Sequence, residues 1–233
     1  MRNILTVVIY LTSILTISAQ TWIGINYRLG HSNVMNHTKF KERYMKSTAQ
    51  SILLYSVFSI NKNTHVKCGI EIEGREFSVS GNYYEILGDY PNYFLGTEII
   101  TRNRYNEMGY VSLPITILYN LKIQKKTYLQ IGFGGYFSYL TNQIWSYRYD
   151  GGRFQYDNIG PLSPIDNPYN DKYKKVDGGF ILELGLRYKI NDLLTSTVSG
   201  IYKKGIINII DSKEINAYNM SNLIGISLEY EIN

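Results

Sequence analysis

The sequence predicts an all-β fold: an eight-stranded antiparallel up-and-down β-barrel that crosses a membrane. Three observations predict it. Long runs alternate apolar and polar residues with a period of two, the spacing of strands and not of helices. The connections between runs are alternately long and short. One face of each run is apolar over a length beyond the five or six residues usual in soluble strands.

Two general features frame that prediction. The 233 residues suit one β-rich domain, 44% hydrophobic and with 23 tyrosines. A ring with a polar tip suits a membrane–water boundary. The net charge of +5 is modest, and the densest basic pairs are Lys174-Lys175 and Lys203-Lys204. No basic stripe for nucleic acid is present.

The first 19 residues read as a cleaved signal peptide. Met1-Arg2-Asn3 is a short basic start, Ile4 to Ile17 an apolar core, and Ser18-Ala19-Gln20 a small-residue cut site after Ala19. That core is too short for a helix crossing roughly 30 Å. Residues 20–233 then form the barrel domain. The single cysteine, Cys68, has no partner for an intramolecular disulfide and suits an apolar strand position.

The strands follow in order. Thr21 to Leu29 alternates Ile23, Ile25, Tyr27 and Leu29 with Gly24, Asn26 and Arg28. A polar loop, Gly30 to Lys46, separates it from the second strand, Ser47 to Ile60, whose alternation blurs at Ile52-Leu53-Leu54. Asn61-Lys62-Asn63 is a tight turn. The third strand, His65 to Val79, sets Val66, Cys68, Ile70 and Ile72 against Lys67, Glu71, Glu73 and Arg75. Ser80 to Arg104 reads as a long loop. Strands four and five form a hairpin over Tyr110 to Leu140. Val111, Leu113, Ile115, Ile117 and Tyr119 share one face of the first run, and Leu129, Ile131, Phe133, Phe137 and Tyr139 share one face of the second. Leu121 to Lys126 is their turn.

Asn142 to Tyr173 reads as the longest irregular region. Strand six, Lys174 to Ile190, alternates Phe180, Leu182, Leu184, Leu186 and Tyr188 with Asp177, Glu183, Arg187 and Lys189. Asn191-Asp192 turns the chain into the weaker strand seven, Leu193 to Lys203. After a loop from Gly205 to Asn219, strand eight runs from Ser221 to Ile232.

Alternate connections of a meander lie at one end, so all short turns share one end and all long loops the other. Transmembrane barrels sort their connections in this way, with short turns in the periplasm. Tyr119, Tyr188 and Tyr230 sit near the turn end of the apolar face, where a periplasmic aromatic girdle belongs. The opposite face puts Lys67, Glu71, Glu73, Arg75, Glu183, Arg187, Lys189, Glu229 and Glu231 in the lumen as a mixed-charge network. Side chains fill an eight-stranded interior, so no open pore is expected. Pro114 falls in the lumen phase of a strand paired on both sides, which predicts a bulge or a break in pairing there.

Several of these residues also carry a family resemblance. Tyr110-Val111-Ser112-Leu113-Pro114-Ile115, then Tyr119, then Gly132 to Leu140, resembles the PorT-like outer-membrane β-barrel family of Bacteroidota. Asp177-Gly178-Gly179 is similar to that family's acidic-aromatic-glycine opening, with Gly178 in place of the aromatic. Lys204-Gly205-Ile206-Ile207-Asn208-Ile209 resembles its Gly-Leu-x-Asn-Ile segment, and Asn219 fits before the last strand. The final Asn233 departs from the aromatic residue common at the end of such barrels. The resemblance implies an outer-membrane location, and the family's name is associated with protein secretion.

The function expected from these features is non-enzymatic: a structural or interaction role through extracellular loops. Trp145, Tyr147, Tyr149, Phe154, Tyr156 and Tyr169 form the candidate loop contact surface. The expected partners are outer-membrane lipid and lipopolysaccharide, with other envelope or secretion proteins, and no nucleic acid. No cofactor or metal is expected, since Asp150, Asp157, Asp166 and Asp171 miss the EF-hand spacing. Two alternatives are a barrel-embedded lipid A hydrolase using His31, His37 or His65, and a small porin.

Overall fold

The computed structural model describes residues 21–36, 43–45, 47–84, 99–149, 152–157, 174–209 and 217–232. The expected signal peptide lies outside them. The described strands are β1 (Thr21–Asn36), β2 (Arg43–Met45), β3 (Ser47–Ser59), β4 (Thr64–Tyr84), β5 (Ile99–Lys122), β6 (Thr127–Tyr149), β7 (Gly152–Asp157), β8 (Val176–Lys189), β9 (Leu194–Gly205) and β10 (Ala217–Ile232). Eight of them are staves of a closed antiparallel barrel. Neighbours run β1, β3, β4, β5, β6, β8, β9, β10, and β10 returns to β1 from Thr21↔Ile232 to Asn36↔Ala217. The short β2 and β7 add to β4 and β6 above the ring.

Closure pairs each of the eight staves on both sides, as a lipid environment demands of a membrane-crossing strand. The faces follow the alternation. Ile25, Ile72, Ile115, Phe133, Leu184 and Ile226 point out and are about half exposed or more, while their neighbours in sequence point into the lumen. Cys68 is free, half-buried and on the outward phase.

The staves are longer than their apolar alternation indicates. A membrane-crossing strand needs about nine to eleven residues, yet β5 has 24 and β6 has 23. The segments expected as loops are partly strand. β1 continues to Asn36, β4 and β5 stay paired up to Tyr84↔Ile99, and β6 pairs β7 from Ile144↔Asp157 to Tyr149↔Gly152. Lipid imposes a strict apolar face only within its own thickness. Above it, backbone pairing continues without that signature.

At Pro114 the ladder behaves differently on its two sides. Toward β6 it is continuous, with Leu113↔Phe137, Pro114↔Tyr136 and Ile115↔Gly135. Toward β4 it jumps from Cys68↔Ile115 to Glu71↔Ser112, so Gly69 and Ile70 have no ladder partner there. The proline lacks the N–H that would bridge to β4. The expected break is present. No register shift accompanies it; the bulge of this stave lies at Gly109/Tyr110 instead.

Candidate functional site

The lumen has an apolar cluster near the short turns and another toward the long-loop end; between them buried charges share the space with a third apolar cluster of Ala49, Tyr136, Ile181, Ile201 and Leu223. The short-turn cluster packs Trp22, Leu53, Tyr55, Val57 and Leu118. The long-loop cluster packs Val34, Met108, Tyr110, Ile209 and Ala217. Inward-facing Leu53, Tyr55 and Val57 explain why the second strand looked blurred in sequence: both of its faces are apolar.

Between the two end clusters, the described residues include ten buried charges. Arg28, Lys67, Arg75, Arg187 and Lys203 face Glu71, Glu73, Asp177, Glu183 and Glu229. The five cations and five anions balance. An uncompensated ion in such a place would cost several kcal/mol, so balance is the condition for this layer to exist.

The pairs link staves far apart in sequence. In the upper part, Arg75 donates from Nε to Glu73 Oε1 (2.8 Å) and from an Nη to Glu73 Oε2 (2.9 Å), a two-pronged grip. Its other Nη donates to Asp177 Oδ2 at 2.7 Å. Asp177 also accepts from Asn219 Nδ2 (2.9 Å) and from the Tyr136 hydroxyl (3.3 Å). The Arg75 guanidinium stands 4.6 Å from the centre of the Tyr110 ring.

In the middle, Lys203 Nζ bridges Glu71 (2.7 Å) and Glu73 (2.9 Å). Glu71 accepts from Arg28 at 2.8 Å and from Ser51 at 2.7 Å. Lys67 pairs with Glu183. Lower down, Glu229 takes Arg187 at 2.7 Å and the Tyr55 hydroxyl at 2.9 Å. Arg187 stacks over Trp22, 5.3 Å from its ring centre.

The structure therefore brings together seven of the nine charges singled out in sequence: Lys67, Glu71, Glu73, Arg75, Glu183, Arg187 and Glu229. The other two lie at the turn end. Lys189 is part-exposed and pairs with Asp192 at 3.2 Å, and Glu231 accepts from Trp22 Nε1 at 3.2 Å. Strand phase predicts direction but not depth, and both residues sit at the turn end, outside the buried charge cluster. Arg28, Asp177 and Lys203 complete the layer. Arg28 and Asp177 stand in the polar phase of their strands in sequence, and that phase was their signal. Lys203 lies on β9, whose apolar pattern is too weak to assign a face.

The candidate contact aromatics fall on strands. Trp145, Tyr147 and Tyr149 are in β6, Phe154 and Tyr156 in β7, with Trp145↔Tyr156 and Tyr147↔Phe154 in register. Tyr169 lies outside the described residues, as do Asp150, Asp166, Asp171 and His37. His31 is exposed while the adjacent Ser32 is buried, so the two face opposite sides of the wall. His65 Nδ1 lies 2.9 Å from Ser59 Oγ, and its ring meets the edge of Trp22. Tyr119, Tyr188 and Tyr230 are exposed on the outer face near the short turns.

Comparison with solved structures agrees with this architecture. OprG of Pseudomonas aeruginosa superposes with a TM-score of 0.53 at 11% identity, over 92% of this chain and 97% of that one. The chain is an outer-membrane β-barrel. The Neisserial surface protein NspA matches with a TM-score of 0.43 at 8% identity, over 92% of this chain and 99% of that one. Ail, the attachment invasion locus protein of Yersinia pestis, matches with 0.38 at 10%, over 92% and 100%. No family model and no curated protein matches the chain. At such identities the likeness concerns the fold. The apolar outer face of this barrel accounts for its seat in the membrane independently.

Proposed function

We propose that the barrel is a sealed, non-catalytic element of the outer membrane that acts through its tall extracellular β-extension. The carrying observation is the charge layer. Glu71, Glu73, Arg75 and Lys203 are at most 2% exposed, so at their level the lumen is side chain and not water. A barrel that conducts nothing has its remaining accessible surface on the outer wall and at its two ends. The extension of β4, β5, β6 and β7 is one of these surfaces, and its strands include Trp145, Tyr147, Tyr149, Phe154 and Tyr156. Aromatic residues concentrated in one segment suit contact with a protein or glycan. The resemblance to PorT-like barrels directs that contact toward envelope or secretion proteins.

Two tests address this reading. In planar bilayers the barrel is expected to show no steady current, and stable ohmic steps would replace it with a porin. In a deletion strain, loss of many secreted cargoes is the result expected from the secretion link. An unchanged secretome would remove that link and leave a local contact role.

The hydrolase alternative has less support. It requires a nucleophile, a histidine and an orienting acid within reach of one another. Ser59 and His65 are close, but Arg187 stacks on the same indole that His65 meets, and Glu229 is already held by Arg187 and Tyr55. The pair also lies at the periplasmic end, away from the outer leaflet.

A further inference from the structure

All four staves that descend to the short-turn end finish on isoleucine at an equivalent place. Ile60, Ile123 and Ile190 follow β3, β5 and β8, and Ile232 ends β10. Each is followed in sequence by an amide residue: Asn61, Gln124, Asn191 and Asn233.

The three turns share one geometry. The isoleucine N–H and the next N–H both donate to a single carbonyl: Thr64 (2.9 and 3.1 Å), Thr127 (3.0 and 3.1 Å) and Leu194 (2.9 and 3.2 Å). Asn61 and Asn191 each add side-chain acceptance of two turn N–H groups. The last turn residue then presents its carbonyl to the next descending stave. Asn63 accepts from Asn120 at 2.8 Å, Lys126 from Lys189 at 2.9 Å, and Leu193 from Glu231 at 2.8 Å.

This repeat holds the first three isoleucines in the outward phase, and Ile232 stands in the same phase of β10. Ile60, Ile123, Ile190 and Ile232 are 61%, 56%, 40% and 44% exposed. On β5, β8 and β10 they lie beyond the girdle tyrosines Tyr119, Tyr188 and Tyr230. An apolar ring thus continues past the girdle to the turns. Lys62, Lys122, Lys125 and Lys126 stand exposed among it. The acidic groups at this end, Asp192 and Glu231, are met by Lys189 and by Trp22 Nε1.

We propose that this end is a collar that seats the barrel in the inner leaflet and selects anionic phospholipid. The isoleucines enter the boundary between acyl chains and headgroups, and the lysines meet the phosphates. Two observations favour lipid over a docked protein. The apolar ring is continuous with the lipid-facing belt. It also places one isoleucine on every descending stave, around the whole circumference, as a surrounding leaflet requires and a one-sided partner does not. The proposal rests on the barrel's insertion, with its short turns in the periplasm. It does not depend on the absence of a pore or on any extracellular contact, so it fails separately from the proposed function.

The test is native mass spectrometry of the solubilised full barrel. It is offered equal amounts of phosphatidylglycerol and phosphatidylethanolamine with identical chains. The wild type is expected to retain the anionic lipid at least about fivefold more, the value of one lysine near an anionic headgroup. The Lys62→Gln/Lys122→Gln/Lys125→Gln/Lys126→Gln variant is expected to retain the two equally. A Lys174→Gln/Lys175→Gln/Lys204→Gln control at the opposite end is expected to keep the wild-type preference. Heat-modifiable gel migration establishes that each variant is folded. Equal retention by the wild type would overturn the proposal. So would a preference that survives the four substitutions or disappears in the control.

Discussion

Replacing Arg75 by leucine is expected to destabilise the barrel by about 3–5 kcal/mol, the usual cost of removing one partner from a buried ion pair. Arg75 grips Glu73 with two nitrogens and Asp177 with a third, and its guanidinium lies against Tyr110. Leucine would leave five buried carboxylates facing four cations. Glu73 would keep Lys203, and Asp177 would keep only the neutral donors Asn219 and Tyr136. The excess charge therefore settles on Asp177. A second substitution, Asp177→Asn, restores balance while leaving an amide to bond the same neighbours. The double variant is expected to be more stable than Arg75→Leu alone, although it departs further from the native sequence. Urea unfolding from vesicles, followed by tryptophan fluorescence, measures both. A double variant less stable than the single one would show that charge balance does not govern this layer.

That balance also shows what could be read without coordinates. The fold was legible because lipid imposes a period of two and a barrel sorts its connections by end. Where an outward apolar residue stands next to a charge, as Ile70 and Ile72 stand beside Glu71 and Glu73, the lumen side was legible as well. Depth along the axis was not. Lys189 and Glu231 share the lumen phase of their strands yet lie at the turn end, outside the buried charge cluster, since phase repeats every two residues whatever the height. Nor was pairing. Lys203 reaches Glu71 and Glu73 only because closure brings β9 opposite β4 across the lumen. The extension above the membrane was missed for a related reason. In β4 and β5 the ladder runs on through Phe77↔Asn106 and Val79↔Arg104, where the strict alternation has ended. Backbone hydrogen bonds sustain a strand without leaving a mark in the side-chain pattern.

The lower lumen provides the second large effect, at Gly24. This glycine on β1 is opposite Tyr55 on β3 and Glu229 on β10. Tyr55 lies across it to reach Glu229, donating its hydroxyl at 2.9 Å. A Cβ on residue 24 would stand 2.4 Å from Tyr55 Cζ and 2.6 Å from its oxygen. The ring has little freedom to retreat: it is 4% exposed, and Lys67 Nζ stands 5.5 Å from its centre. Gly24→Val is expected to cost about 3–5 kcal/mol, combining overpacking with loss of a hydrogen bond to a carboxylate. Tyr55→Phe removes that bond alone and is expected to cost about 1.5–3 kcal/mol. The informative variant is Gly24→Val/Tyr55→Ala, in which the valine occupies space the ring has left. Its cost should fall short of the sum of Gly24→Val and Tyr55→Ala by at least about 1 kcal/mol, the coupling expected of residues in direct contact. Full additivity would mean that the ring does not need the glycine gap. The glycine would then act through backbone conformation, and Tyr55 would reach Glu229 whatever residue stood at position 24.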